Sequence, residues 1–125
     1  MKLETEKGFY VGDIAEALSL DDFDRATELT DNFRKHAVNA DDLKLLATET
    51  INGDGVFSSS LGILFGTNSG LIGIIPLEYV SRYVNGQTSY AMNVLCCGSA
   101  QLIPVDSDGV IKIILPNMEF EIYTE

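Results

Sequence analysis

The sequence predicts an α+β fold, in which two N-terminal helices pack on a curved, mostly antiparallel sheet or small partial β-barrel. Residues 12–49 are acidic and carry apolar side chains at helical spacing, whereas residues 50–125 contain short apolar runs separated by Gly, Pro, Asn and Asp. Neither part could bury its apolar face alone. The 125 residues, 46 % of them hydrophobic, therefore predict a single domain over residues 1–125.

The first part of the chain predicts a strand followed by helix. Aromatic and β-branched residues at 7–11 favour a strand, which we expect to pair with the late strands of the sheet. Asp13 then caps one short helical turn. Residues 20–36 predict the main helix, which Ser19 and Asp22 begin as a partial capping box. Its expected buried stripe, at spacings of three or four, consists of Leu20, Phe23, Ala26, Leu29 and Phe33.

A second, shorter helix is predicted at residues 39–48, with Asn39 as its N-cap and three leucines as its buried set. Beyond residue 50 the pattern changes to strands and turns. The expected strands lie at residues 56–57, 61–65, 71–75, 89–96, 100–105, 110–115 and 118–123, with a short helix at 77–83. Residues 71–75 are almost entirely apolar, which is typical of a strand buried on both faces. We expect residues 66–70 to form a hairpin turn, and Asn85-Gly86 to form another.

The last hairpin has a predicted register. If Pro116-Asn117 form a two-residue turn, Lys112 lies opposite Glu121 on one face of the hairpin. The expected pairs on the other face are Leu115 with Met118, Ile113 with Phe120, and Ile111 with Ile122. Because a slip by one residue would bury two glutamates, we expect this register to be fixed.

The charge of the chain restricts its partners. The formal net charge is −11, and residues 1–50 hold 12 of the 19 acidic residues. Direct binding to nucleic acid requires clustered Lys and Arg, so we expect none. No uninterrupted apolar run of about 18 residues occurs, and the charged N-terminus does not resemble a signal peptide. We expect a cytoplasmic protein that does not bind membranes.

Cofactor and catalytic chemistry find little support in the sequence. Cys96 and Cys97 are adjacent and are expected to be ordinary thiols. His36 is the only histidine, and we expect it to act as a cation at the end of the main helix. The turn at residues 106–109 has the opening spacing of a calcium loop but lacks its later acidic ligands. We therefore expect that the protein is not an enzyme and that it has no catalytic, cofactor-binding or metal-binding residues.

One group of charges suggests a binding function. Asp21, Asp24, Glu28 and Asp31 recur at intervals of three or four along the main helix. Such a row is either a solvated surface or a docking face for a protein with a basic surface. We expect these four residues to form the candidate docking face.

Two stretches of the chain resemble a known group of proteins. They are Phe9-Tyr10-Val11-Gly12-Asp13 and Gly53-Asp54-Gly55, the latter continued by Ser69-Gly70-Leu71-Ile72-Gly73-Ile74-Ile75-Pro76-Leu77-Glu78. The pattern is similar to a family of small, uncharacterised phage and bacterial proteins with a "YxGD" start and a "GDG…SGxIGxxPxE" core, although Asn68 stands where that family has Asp. The resemblance implies an origin in a phage or mobile element and assigns no catalytic residue.

Three functions follow from these observations as expectations. The first is a non-enzymatic accessory or regulatory protein that binds another protein, for example as an inhibitor of a host factor. The second is an acidic mimic of nucleic acid, which would need carboxylates arrayed along a whole face. The third is a small-molecule-binding β-barrel or enzyme, suggested by the Gly-rich turns together with Asp13 and Asp54. A deep apolar pocket with converging polar groups would favour this third function.

Overall fold

The structure is a computed structural model in which residues 1–82 and 90–125 are described. These residues are mostly strand, with two short α-helices. In chain order the elements are β1 (Leu3–Thr5), β2 (Phe9–Gly12), α1 (Ile14–Ala17), α2 (Leu20–Leu29), β3 (Ala37–Ala40), β4 (Leu43–Glu49), β5 (Gly55–Ser59), β6 (Phe65–Thr67), β7 (Leu71–Pro76), β8 (Met92–Val94), β9 (Gly98–Ile103), β10 (Val110–Ile114) and β11 (Glu119–Tyr123). A 3₁₀ turn at Leu77–Tyr79 follows β7.

The strands form two antiparallel sheets that curl into a half-barrel. The outer sheet has the order β1-β9-β10-β11-β5-β6, and the inner sheet has the order β3-β4-β7-β2-β8. The two sheets pack face to face, and the helices lie on the other face of the inner sheet. The inner sheet is therefore the middle of three layers.

Two hydrophobic cores separate these layers. The core between the sheets includes Phe65 and Phe120, whose rings stack with centroids 5.5 Å apart. The core under the helices contains Ile14 of α1, Ala26 of α2 and Ile75 of β7. Every residue of β7 is buried because its two faces contribute to different cores. The prediction that residues 71–75 form a strand buried on both faces is confirmed.

The predicted helix at residues 39–48 is wrong, because this segment forms the β3–β4 hairpin. Leu43, Leu45 and Ala47 alternate along β4 and face the helices, while Leu46 faces the core between the sheets. A run of leucines fits either period over so short a length, so periodicity alone did not distinguish helix from strand. The predicted helical part at residues 12–49 is consequently half helix and half sheet.

The predicted main helix is also too long, because α2 ends at Leu29. The Thr30 hydroxyl donates to the Ala26 carbonyl at 2.6 Å and accepts from the Phe33 N–H at 3.0 Å, which gives the chain an alternative to helical bonding. The next three residues, Asp31, Asn32 and Phe33, have φ angles of 53°, 56° and 62°. Left-handed backbone costs non-glycine residues about 1–2 kcal/mol each.

The prediction of a buried stripe is wrong for two of its side chains. Leu20 is 74 % exposed and Leu29 is 45 % exposed, whereas Ala26 and Phe33 are buried as predicted. His36 does not lie at the end of a helix as predicted, because α2 ends at Leu29; its Nδ1 instead donates to the Ala47 carbonyl at 3.1 Å, next to the β3–β4 ladder. Leu20 and Leu29 are the first and last residues of the short α2, where their side chains remain exposed to solvent.

The C-terminal hairpin has the predicted register. Ile111 pairs with Ile122, Ile113 with Phe120, and Lys112 with Glu121. The Leu115 N–H donates to the Met118 carbonyl at 2.8 Å and closes the turn. Lys112 forms its ion pair diagonally, with Glu119 at 3.5 Å. The six apolar side chains that the sequence predicts for one face all contribute to the core between the sheets.

Other connections differ from the prediction. Residues 66–70 do not form a hairpin turn, because β6 and β7 belong to different sheets and this loop joins them. The expected first strand, β2, does pair with a late strand, β8, but its other neighbour is β7. The shorter β1, which was not predicted, pairs with β9. The expected helix at residues 77–83 is described only as a 3₁₀ turn. The predicted Asn85-Gly86 hairpin lies outside the described residues.

Candidate functional site: the acidic face of helix α2

Helix α2 is held in place from below and at both ends. Ser19 caps its start by accepting from the Asp22 N–H at 3.2 Å. The Ser81 hydroxyl donates to Asp22 Oδ2 at 2.5 Å and ties the first turn to the segment after β7. Ala26 is buried, and the rings of Phe23 and Phe33 stack with centroids 5.9 Å apart. The opposite side of the helix therefore faces solvent in a fixed orientation.

Three of the four predicted docking residues lie together on this outer side. At 100° per residue, Asp21, Asp24 and Glu28 fall within about 60° of one another around the helix axis. All three are exposed. Within residues 1–82 and 90–125, their side chains have neither a hydrogen bond nor an ion pair. They form a compact negative surface, which we call the acidic face.

Asp31 does not belong to the same face. It lies two residues beyond the end of α2, in the left-handed turn. Its Oδ2 accepts from Arg34 Nη1 at 3.3 Å, so a neighbouring cation already compensates its charge. The sequence spacing assumed a helix through residue 36, and the early end of α2 removes Asp31 from the row.

The cation nearest to the acidic face in sequence is also engaged. Arg25 Nη1 donates to Asp42 Oδ1 at 2.6 Å, which links α2 to the turn between β3 and β4. The hydrogen bond from Arg25 holds the pKa of the exposed Asp42 carboxyl below its ordinary value. Arg25 therefore pairs with Asp42 and not with Asp21, Asp24 or Glu28.

The sequence analysis missed the apolar member of this surface. Leu20, expected in the core, lies about 40° from Asp24 around the helix and is mostly exposed. An exposed leucine beside carboxylates provides apolar area as well as charge. The available signal was its position directly after Ser19, because a residue in the first turn of a short helix often extends beyond the core.

Asp13 lies at the centre of a second polar cluster and is completely buried. Its Oδ1 accepts from the Ala15 N–H at 3.0 Å and from the Ser69 hydroxyl at 2.6 Å. Its Oδ2 accepts from the N–H groups of Asn68 and Ser69, at 2.9 and 3.3 Å. Four donors satisfy this carboxylate. The prediction that Asp13 caps α1 is confirmed, and the same side chain fixes the loop that joins the two sheets.

The buried Tyr10 belongs to the same cluster. Its hydroxyl donates to the Asp13 carbonyl at 2.7 Å. Burial, together with the negative charges of Glu16 and Asp13, raises the pKa of Tyr10 far above its ordinary value. The phenol is therefore neutral at any physiological pH and serves as a hydrogen-bond donor in the core.

Asp54, the other acid that suggested small-molecule chemistry, is exposed and borders a shallow cleft of about 320 Å³ with Glu16 and Tyr90. It does not converge with Asp13, which has no free acceptor site directed toward a cleft. The carboxyl group of Asp106 accepts from the N–H groups of Asp108 and Val110 in its own turn. Cys96 is half-buried beside the core between the sheets, and Cys97 is exposed; both are free thiols.

Fold and site together define a small β-rich domain with a helical layer and an acidic outer helix. In the part of the chain that the structure describes, no helix has the length and apolar character needed to cross a membrane. Comparison of the sequence with protein-family models and curated proteins, and of the structure with solved structures, gave no match.

Proposed function

We propose that this chain is a small, non-enzymatic accessory or regulatory protein that acts by binding another protein through the acidic face of α2. The observation that carries the proposal is the grouping of Asp21, Asp24 and Glu28 on one rigidly held, exposed side of a helix, without a cation partner among the described residues. The neighbouring Leu20 adds apolar contact area. The partner we infer has a basic surface.

The charge distribution supports a local docking face more than a mimic of nucleic acid. A mimic needs carboxylates repeated along an extended surface, whereas residues 51–125 contain only seven acids. Three of them, Glu78, Asp106 and Glu119, are engaged by Lys112 or by backbone N–H groups. Three acids without such partners, Asp21, Asp24 and Glu28, lie together on α2, so a partner would meet one negative patch there rather than a continuous track.

The setting we propose for this activity is the cytoplasm, where Cys96 and Cys97 remain reduced. The resemblance of residues 9–13 and 69–78 to small phage and bacterial proteins supports a role in which the partner is a host factor that the protein inhibits. That role requires no cofactor and no catalytic residue in this chain.

The proposal is tested by neutralising the acidic face. Affinity capture from a host lysate first supplies a candidate partner, which is then purified. The variant Asp21→Asn, Asp24→Asn, Glu28→Gln is compared with the parent in association kinetics at two ionic strengths. We expect a slower association rate, by about tenfold at low salt, and a weaker salt dependence, because charges at an interface rim act mainly by steering the encounter.

A second variant with the same net charge serves as the control. It neutralises three exposed acids away from α2, namely Asp54, Asp108 and Glu125. Both variants should fold as the parent does, because surface changes alter stability by about 0.5 kcal/mol or less. If the two variants lose association rate equally, only net charge matters. If neither loses any, the binding surface lies elsewhere on the molecule.

A further inference from the structure

A groove of about 430 Å³ lies beside the acidic face, between α2 and the loops that join the two sheets. Its lining residues include Phe23, Phe33 and Leu71, which we call the apolar floor. Phe33 and Leu71 are almost completely buried, whereas Phe23 is only half-covered. Apolar surface at the bottom of an open groove is suited to receive one apolar side chain of a partner.

The left-handed turn after α2 shapes one end of this groove. The positive φ angles at Asp31, Asn32 and Phe33 reverse the chain so that the Phe33 ring stacks on Phe23. Asn32 itself borders the groove. Strained backbone of this kind persists only when the surrounding structure fixes it, and it is concentrated at ligand-binding surfaces.

The groove also has an exposed apolar side chain outside the helix. Ile51 borders the groove and is 42 % exposed. Its backbone N–H is bonded to Thr124 Oγ1 at 3.2 Å, so the position of the residue is fixed while its side chain remains accessible. Together with Phe23, it forms the accessible apolar part of the groove.

Carboxylates surround this apolar centre. Glu49 borders the groove on the strand side and is exposed. On the helix side, Thr27 borders the groove, and Asp24 and Glu28 lie about 60° and 100° from it around the axis. Across residues 1–82 and 90–125, none of these three acids has a cationic partner. The groove therefore has negative charge on both sides and an apolar floor between them.

We propose that this groove holds a short basic segment of the partner, in which Lys or Arg side chains flank one large apolar anchor. The anchor would pack on Phe23 and Ile51, and the flanking cations would pair with Asp24 and Glu28 on one side and with Glu49 on the other. This inference rests on the proposed function and specifies the chemistry of the segment that the acidic face recognises. Charge complementarity and the apolar floor together select this occupant over a purely basic one.

Two synthetic peptides test the inference on the full chain. One is acetyl-Lys-Lys-Phe-Lys-Lys-amide, and the other has Gly in place of Phe. Both are titrated into the ¹⁵N-labelled protein, and dissociation constants are taken from the amide shifts. We expect the Phe peptide to bind at least threefold more tightly, with its additional shifts at Thr27, Asn32, Gly53 and Gly70, which border the groove.

A matched pair of variants locates the contact. Ile51→Ser should abolish the advantage of the Phe peptide. Ile103→Ser, which changes an isoleucine of similar exposure (49 %) on the outer sheet, should preserve it. Asp24→Asn with Glu28→Gln should weaken both peptides by a similar factor. Thermal unfolding of each variant verifies that it is folded.

The outcomes separate the two proposals. Equal binding of the two peptides, or an advantage of the Phe peptide that survives Ile51→Ser, overturns the groove assignment. In that case, weaker binding in the Asp24→Asn, Glu28→Gln variant would still support the acidic face as the docking surface. If this variant binds both peptides like the parent, the proposed function fails as well.

Discussion

The inner and outer sheets differ in how many of their faces are covered, and this difference is visible in single strands. In β7 of the inner sheet all six residues are buried, because the helices cover one face and the outer sheet covers the other. In β10 of the outer sheet, fully buried and half-buried residues alternate. A strand in a middle layer is thus buried at every residue, whereas in a strand of a surface layer buried and half-buried residues alternate. The same contrast determines how each sheet should respond to substitution.

The largest effect is expected at Gly73 in the middle of β7. A Cβ atom there would lie 2.4 Å from the Leu46 carbonyl oxygen and 2.5 Å from Ile14 Cγ2. Neither the adjacent strand nor the packed helix can move away easily. Gly73→Ala should therefore lower the free energy of unfolding by about 3 kcal/mol or more, as measured by urea denaturation.

Gly66 in the outer sheet is the matched control. A Cβ atom there would first meet Tyr90 Cβ, at 3.2 Å, and Tyr90 is 44 % exposed. We expect Gly66→Ala to change the free energy of unfolding by about 1 kcal/mol or less. If both substitutions lower the free energy of unfolding equally, the two sheets do not differ in how their faces are covered.

The second effect concerns the two faces of β10. Ile113 is fully buried between the sheets, and Ile113→Ala should lower the free energy of unfolding by about 2–4 kcal/mol. Its neighbour Ile114 points to the opposite, half-exposed face. Ile114→Ala should cost only about 1 kcal/mol, because less apolar area leaves water on folding. A loss at Ile114 as large as that at Ile113 would mean that something covers the outer face in solution.

The smallest effect concerns Glu78, which connects the two sheets. It accepts hydrogen bonds from the Thr5 hydroxyl, at the end of β1, and from the Glu6 N–H at 3.3 Å. Partial desolvation acts to raise the pKa of Glu78, but the bonds from Thr5 and from backbone N–H groups outweigh it. The pKa of Glu78 consequently lies below its ordinary value of 4.5.

A lowered carboxyl pKa gives a definite direction for the pH dependence. The stabilisation is complete above the unfolded-state pKa and disappears as pH falls through the folded-state pKa. Glu78→Gln should therefore reduce the free energy of unfolding at pH 7, by well under about 1 kcal/mol for so exposed a group. The difference from the parent should shrink as the pH falls through the lowered pKa of Glu78. A difference that persists unchanged into strongly acidic pH would contradict the link through Glu78.

An element was predictable where its local sequence pattern fits only one structure. The register of the C-terminal hairpin was predictable, because a slip would have moved Glu119 and Glu121 into the core. The pattern of residues 39–48 fits either a helix or strands. Strands form because β4 pairs with β7, which is more than twenty residues away in the sequence. The loop at residues 66–70 was misread for a similar reason, since its sequence does not indicate which sheet each flanking strand joins.

The candidate site was also predictable only where it depends on a local pattern. Asp21, Asp24 and Glu28 lie on one exposed face as the helical period requires. Asp31 was assigned wrongly because the Thr30 side chain competes for the backbone groups that would extend the helix. The exposure of Leu20 and the groove formed by Phe23, Phe33 and Ile51 depend on where α2 lies on the inner sheet, which no local pattern specifies.

The sequence by itself determined the strands with a clear two-residue period, the N-cap at Ser19, the cap at Asp13 and the concentration of negative charge near α2. These features depend on side-chain alternation and on contacts within a few residues. Only the tertiary structure decided which strands share a sheet, where α2 stops and what the four donors to Asp13 are. Those choices depend on contacts between distant segments, whose free energies are small individually and select one arrangement only when all of them form together.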